Sequence, residues 1–132
     1  MTTLAQDRKL AAPVVEPGTE KFWNAAAEGK LLVKRCDSCN QLHWYPRPLC
    51  PHCLSDKTSW LHTSGRGTIY SFTVTRKPAP PYAIAYVTLD EGVTLLTNIV
   101  DCDLDTIRIG GRVQVVFKPT EGGGAMPMFK PA

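Results

Sequence analysis

Two C-x-x-C pairs, a following run of short alternating strands at hairpin spacing, and one amphipathic stretch ahead of both predict a mainly β chain. The expected order is an N-terminal helix, a metal-stapled ribbon and a small antiparallel barrel. The expected divisions are a flexible arm over 1–18, the helix over 19–29, the ribbon over 30–63 and the barrel over 64–132.

The first 16 residues mix small, polar and proline residues without a period, as a mobile arm does. Pro17-Gly18 breaks the chain, and Thr19 is placed to cap a helix. Phe22, Trp23, Ala26 and Ala27 share one face of a helix of about three turns, and Gly29 is its expected stop. Phe22 and Trp23 are large for so short a helix. Core packing is their default role and partner anchoring the alternative.

The ribbon is built on Cys36, Cys39, Cys50 and Cys53, with ten residues between the pairs. Two thiolates three positions apart grip one metal from a single tight turn, and two such turns complete a tetrahedron. Asn40 follows the first pair, where a left-handed residue is needed, and Asn tolerates that conformation. Leu54 holds the matching place after the second pair. Leu31–Arg35, Leu42–Tyr45 and Thr58–His62 read as three short strands around the knuckles, with Pro46 and Pro48 limiting the second. A unit this small needs a staple, and the metal supplies it. Structural zinc is the favoured occupant. Iron suits the same tetrathiolate, whereas disulfides or a redox dithiol would need an oxidising compartment or a βαβ context. Four thiolates leave no open coordination position, so such a metal holds the fold and does no chemistry.

After Ser64-Gly65-Arg66-Gly67 the composition turns strongly β. Thr68–Thr75 alternates with Tyr70, Phe72 and Val74 on one face. Ala83–Leu89 places Ala85, Val87 and Leu89 together, and Val93–Val100 has Val93, Leu95 and Ile99 in phase. Asp90-Glu91-Gly92 turns between those two strands. Residues 103–109 form a connection with room for one helical turn. Arg112–Lys118 carries Val113, Val115 and Phe117, and Met126–Phe129 is positioned to close the sheet. Five strands of this size suit a barrel of the oligonucleotide/oligosaccharide-binding (OB-fold) kind.

Charge and composition narrow the function. No run of 18 apolar residues suggests a membrane span, and the start lacks the charged-then-apolar order of a signal peptide. The expected setting is the cytoplasm, with reduced thiols. The net charge of +3 does not by itself argue for nucleic acid. From Lys30 to Lys77 there are eight basic and two acidic residues, whereas 78–132 has four basic and six acidic. The basic half is either an anion-binding surface or a solvated face that balances the thiolates. His43, His52 and His62 lie in or beside the ribbon and are expected to be structural or surface residues. Cys102 is left over, with no sequence signature of a nucleophile around it. Gly122-Gly123-Gly124 lacks the Lys and the strand–helix context of a phosphate loop. Trp44, Tyr45, Trp60, Tyr70, Phe72 and Tyr82 interleave with Arg47, Arg66, Arg76 and Lys77. That mixture would suit stacked bases, although strand core is the plainer role for the aromatics.

Across residues 19–132 the chain resembles the DUF35 family, a rubredoxin-like zinc ribbon followed by an acyl-CoA-associated OB-fold domain. The resemblance is carried by Phe22-Trp23, by Gly29-Lys30-Leu31-Leu32 running into Arg35-Cys36, and by the segment from Trp44 to Cys53. It continues through Gly67–Val74, Pro81–Gly92, Arg108–Val113 and the ending Phe129-Lys130-Pro131-Ala132. The departure is Leu54, where glycine is common. The resemblance implies a non-catalytic accessory or scaffold subunit in a heteromeric complex. Its partner would be a thiolase-type enzyme, a thiolase-like aldolase or a hotdog-fold hydratase, and the subunit would help to bind acyl-CoA. Lys34, Arg35, Arg47, Arg76 and Lys77 are the candidates for the CoA phosphates, with Tyr82 for adenine. These six rest on charge and position and are not carried over from a family motif. Two other readings stand beside this one. A single-stranded nucleic-acid module would suit a ribbon plus barrel, but the barrel half is net acidic. An enzyme built on Cys102 would need a catalytic constellation that the sequence does not offer.

Overall fold

The computed structural model describes residues 4–5 and 8–132. Residues 1–3 and 6–7 of the expected arm lie outside the described residues. The elements run α1 (Glu20–Ala27), β1 (Leu32–Cys36), β2 (Leu42–His43), β3 (Thr58–His62), β4 (Arg66–Thr75), β5 (Tyr82–Leu89), β6 (Thr94–Ile99), β7 (Arg112–Pro119) and β8 (Ala125–Pro131). Short 3-10 turns cover Leu104–Thr106 and Glu121–Gly123. None of the described helices is long and apolar enough to cross a membrane.

The first sheet is β2-β1-β3, antiparallel throughout, with Lys34 opposite both His43 and Trp60. The second is a closed five-stranded barrel in the order β4-β5-β6-β8-β7. Four of its seams are antiparallel. The closing seam, β6 to β8, is parallel and places Ile99 opposite Phe129. Closure removes the open edges that would otherwise template aggregation. The strands fall where the alternation puts them, because Ala83, Ala85, Val87 and Leu89 all turn into one core with Leu95, Ile99, Val113 and Phe129.

Two local expectations fail for physical reasons. Helix α1 has eight residues, about two turns rather than three. Thr19 sits at its N-cap position without capping it. Its hydroxyl donates to the Glu16 carbonyl, and the Gly18 N–H donates to the Glu20 carboxylate instead. The second correction concerns β4. Tyr70 does not share a face with Phe72 and Val74. The register against β5 shifts between Ile69 and Ser71, and this bulge turns the alternation over. Ile69 is therefore buried, while Phe72 and Val74 pack against the core and Tyr70 is left 68% exposed. Ile84, Tyr86 and Leu96 are exposed as well, on β5 and β6, with Tyr86 paired directly to Leu96.

Phe22 of α1 joins the two sheets. It is 1% exposed and meets Trp23, Trp44 and Tyr45 edge-on, at centroid distances of 4.9, 5.3 and 5.8 Å. Trp23 is half-buried, and its Nε1 donates to the Tyr45 hydroxyl at 3.3 Å. A void of about 150 Å³ remains where these rings face Leu95 and Phe129 of the barrel. Described residues of the N-terminal segment also lie against the barrel. Leu4 bridges to Asp103 and Leu10 to Thr120, and the Ala5 N–H donates to the Cys102 carbonyl.

Candidate metal centre

The two knuckles are built to one plan. In the first, Asn40 N–H donates to the Cys36 carbonyl and Cys36 N–H to the Gln41 carbonyl, at 2.8 and 2.9 Å. In the second, Leu54 N–H donates to the Cys50 carbonyl and Cys50 N–H to the Ser55 carbonyl, both at 2.8 Å. Each turn requires a left-handed residue after its second cysteine, and Asn40 (φ 62°) and Leu54 (φ 65°) both adopt that conformation. Leu54 thus takes the backbone that Gly or Asn adopts with less strain, and its side chain is left exposed.

The knuckles bring the Sγ atoms of Cys36, Cys39, Cys50 and Cys53 within 4.8 Å of one another. Cys36 Sγ lies 3.5 Å from Cys53 Sγ, and Cys39 Sγ lies 3.7 Å from Cys50 Sγ. These distances are far beyond a disulfide of about 2.05 Å. They fit the edge of about 3.8 Å of a tetrahedron whose metal–sulfur bonds are about 2.3 Å. All four cysteines are free. Cys36 and Cys50 are buried, Cys39 is half-buried and Cys53 is exposed.

Backbone amides support negative charge at the sulfurs. Cys39 N–H donates to Cys36 Sγ at 3.4 Å and His52 N–H to Cys50 Sγ at 3.3 Å. The Cys39 amide is the main reason that the Cys36 thiol is lowered to about 6. At Cys53 the Ser55 amide favours the thiolate, but Cys36, burial and the other two thiols outweigh it and push the group up to about 12. Four thiols this close cannot all ionise without a counter-charge, and a cation at their centre supplies one. The donor set and its geometry fit one thiophilic metal ion.

The three histidines stay outside the cluster. His43 is 5% exposed with neither ring nitrogen partnered, and its burial, followed by Lys34, His52 and Arg47, lowers its pKa. His52 places Nε2 3.3 Å from the Leu42 carbonyl, and His62 is exposed. Cys102 is half-buried, and burial together with Asp103 and Asp101 raises its pKa. A reactive thiol needs the opposite shift.

The six residues assigned to CoA divide between two regions. Lys34, Arg35 and Arg47 belong to the ribbon. Lys34 donates to Thr58 Oγ1 and lies 4.7 Å over the Trp60 ring, and Arg35 faces Asp37 at 3.9 Å. Arg76 and Lys77 belong to the loop after β4 and Tyr82 to the start of β5, and Arg76 is held by Asp105 at 2.6 Å. Of the six, only Tyr82 lines the cleft of about 540 Å³ at the end of the barrel. Its ring is covered there by the Arg8 guanidinium, 4.3 Å from the centroid. Arg8 carries no local sequence signal, because the ring it covers lies 74 positions away.

A tetrathiolate ribbon joined to a closed five-stranded barrel defines the zinc-ribbon/OB-fold class. Residues 23–59 match the family model described as the rubredoxin-like zinc ribbon domain of ChsH2, and residues 60–118 match that of its C-terminal OB-fold domain. A DUF35 domain-containing scaffold protein of Methanothermobacter thermautotrophicus is 36% identical over 101 residues, covering 71% of this chain and 76% of that one. A probable enoyl-CoA hydratase alpha subunit of Thermomonospora curvata is 36% identical over 117 residues, which are 84% of this chain but 37% of the relative. This chain thus spans about a third of the length of that subunit. A solved structure described as the Ltp2–ChsH2(DUF35) aldolase superposes with a TM-score of 0.81 at 32% identity, covering 91% of this chain and 98% of that one. The chain belongs to the DUF35 family.

Proposed function

We propose that this chain is a non-catalytic accessory subunit that docks on an enzyme of acyl-CoA metabolism, of thiolase, aldolase or hydratase type. The observation that carries the reading is the pairing of this fold with acyl-CoA chemistry in the names of its relatives. One relative is a hydratase alpha subunit more than twice as long, another is a scaffold of similar length, and a third is part of an aldolase assembly. The chain's own residues support it. The four-cysteine centre has no position for a substrate. The one cysteine outside that centre is held toward its protonated form. Exposed Tyr70, Ile84, Tyr86 and Leu96 offer apolar area on the outside of the barrel, where a partner would bury it.

In this reading Cys36, Cys39, Cys50 and Cys53 hold zinc, which fixes the ribbon. Lys34, Arg35, Arg47, Arg76, Lys77 and Tyr82 remain the proposed contacts to CoA, as two separate groups rather than one pocket. The test is purification of the tagged chain from its native cells, with quantification of what elutes with it. An acyl-CoA enzyme in stoichiometric amount supports the proposal. Recovery of the chain alone or with nucleic acid overturns it.

A further inference from the structure

The cleft at the end of the barrel, which Tyr82 also lines, contains none of the metal-centre cysteines. It has a volume of about 540 Å³, within the ordinary range of about 300–1,000 Å³ for small-molecule sites. Its floor is apolar. Ile99 is 1% exposed and Met128 9%, and Leu10, Val100 and Pro119 extend the same surface. The polar groups at its margin are mostly spoken for. Asn98 Nδ2 donates to the Ala83 carbonyl at 3.1 Å, and Lys118 is neutralised by Asp101 at 2.6 Å. Arg8 differs from them. It donates one hydrogen bond, to the Pro80 carbonyl at 2.6 Å, and lies across the Tyr82 ring. A guanidinium has five N–H donors, so most of its donor capacity is turned neither to that carbonyl nor to the ring. Among the described lining residues, the charge left after the Lys118–Asp101 pair is therefore one positive unit above an apolar floor.

We infer that this cleft binds an amphipathic monoanion, an aliphatic chain ending in a carboxylate, with the carboxylate on Arg8 and the chain on Ile99, Val100 and Met128. A polyanion such as a nucleotide phosphate fits less well, because among the described lining residues Arg8 is the cation not paired with a carboxylate, and Asp101 stands beside Lys118. The inference goes beyond the accessory-subunit reading and does not rest on it, since every residue it uses belongs to this chain.

The test is calorimetric titration of the full chain with decanoate, decanol and CoA. Wild type should bind decanoate saturably at one site. Arg8→Ala should weaken that binding at least about tenfold, as loss of a charged hydrogen-bond donor does. Decanol, which lacks the charge, should bind wild type weakly and be indifferent to Arg8→Ala. Leu10→Trp, which fills the cleft while leaving Arg8 in place, should abolish decanoate binding. Unchanged thermal unfolding and metal content would show that each variant is folded. Absence of saturable decanoate binding, or binding unaffected by both variants, overturns the inference. Equal affinity for decanol overturns the role of Arg8, and CoA binding that depends on Arg8 overturns the choice of a monoanion. None of these outcomes alters the co-purification result, so the two proposals fail separately.

Discussion

Phe22→Ala is the perturbation that most directly probes how the metal ribbon is held to the barrel. The ring is 1% exposed and meets three other aromatic rings edge-on, from its own helix and from the ribbon. Truncating a buried phenylalanine costs about 3–5 kcal/mol. The site favours the upper part of that range, because it already adjoins a void of about 150 Å³ that a collapsing helix would have to fill as well. Each edge-on pair adds about 0.5–1.5 kcal/mol beyond area, and three are lost together. For 132 residues, an unfolding entropy of about 2.1 cal/mol/K per residue gives about 0.28 kcal/mol/K, so the loss corresponds to about 11–18 °C in Tm. The assay is thermal unfolding followed by circular dichroism and tryptophan fluorescence. Trp44 and Trp60 report on the ribbon, and the variant should show ribbon unfolding at a lower temperature than the barrel. A double-mutant cycle with Trp44→Ala should return a coupling of about 0.5–1.5 kcal/mol. A fall in Tm below about 4 °C, with both signals still coincident, would refute the view that this ring clamps the two sheets.

Cys39→Ser should reduce bound metal well below one per chain by elemental analysis. It should unfold the ribbon while backbone amides of β4–β8 stay protected from hydrogen exchange, because the barrel closes on its own core. Gly67→Ala should destabilise by about 1–3 kcal/mol in a urea titration, since a Cβ there would lie 2.7 Å from the Thr88 carbonyl oxygen across the β4–β5 seam. Asp90 accepts two hydrogen bonds from Arg112, at 2.8 and 2.9 Å, and these hold its carboxyl below the ordinary carboxylate value. A depressed pKa contributes stability above the unfolded value and loses it as pH falls through the folded one. The Tm difference between wild type and Asp90→Asn should therefore be present at neutral pH and vanish under acid conditions, and a difference constant with pH would refute the pairing. Cys102→Ser should leave complex formation and the partner's activity unchanged, because burial and two aspartates keep that thiol protonated.

The parts of the molecule legible in its sequence are those fixed by short-range rules. Two turns of one design announce themselves through C-x-x-C, because metal geometry dictates the spacing within each turn and the left-handed residue after it. The strands β5 and β6 announce themselves because both alternate without interruption over one buried face. Strand β4 shows where that logic stops. A bulge adds one residue and turns the pattern over, and the composition of Ile69-Tyr70-Ser71 does not mark it. Read with a strict period of two, Tyr70 belongs to the core. In the fold it stands outside with Ile84, Tyr86 and Leu96, so an inward stripe on paper becomes part of an outward apolar face.

The cleft was hidden for a different reason. It exists only because the N-terminal segment returns to lie beside β6, β7 and β8, bringing Arg8 over Tyr82 and Leu10 opposite Thr120. Neither partner carries a local signal for the other, and a stretch of mixed small and polar residues has no period to betray its contacts. Charge counting draws attention to the basic run 30–77, whose lysines and arginines are spread over two separate regions and partly satisfied by Asp37, Asp105 and the Trp60 ring. Arg8, the guanidinium at the cleft, lies outside that run. Its proposed role rests on what surrounds it, an apolar floor and a lysine paired with Asp101, and not on the number of like charges nearby.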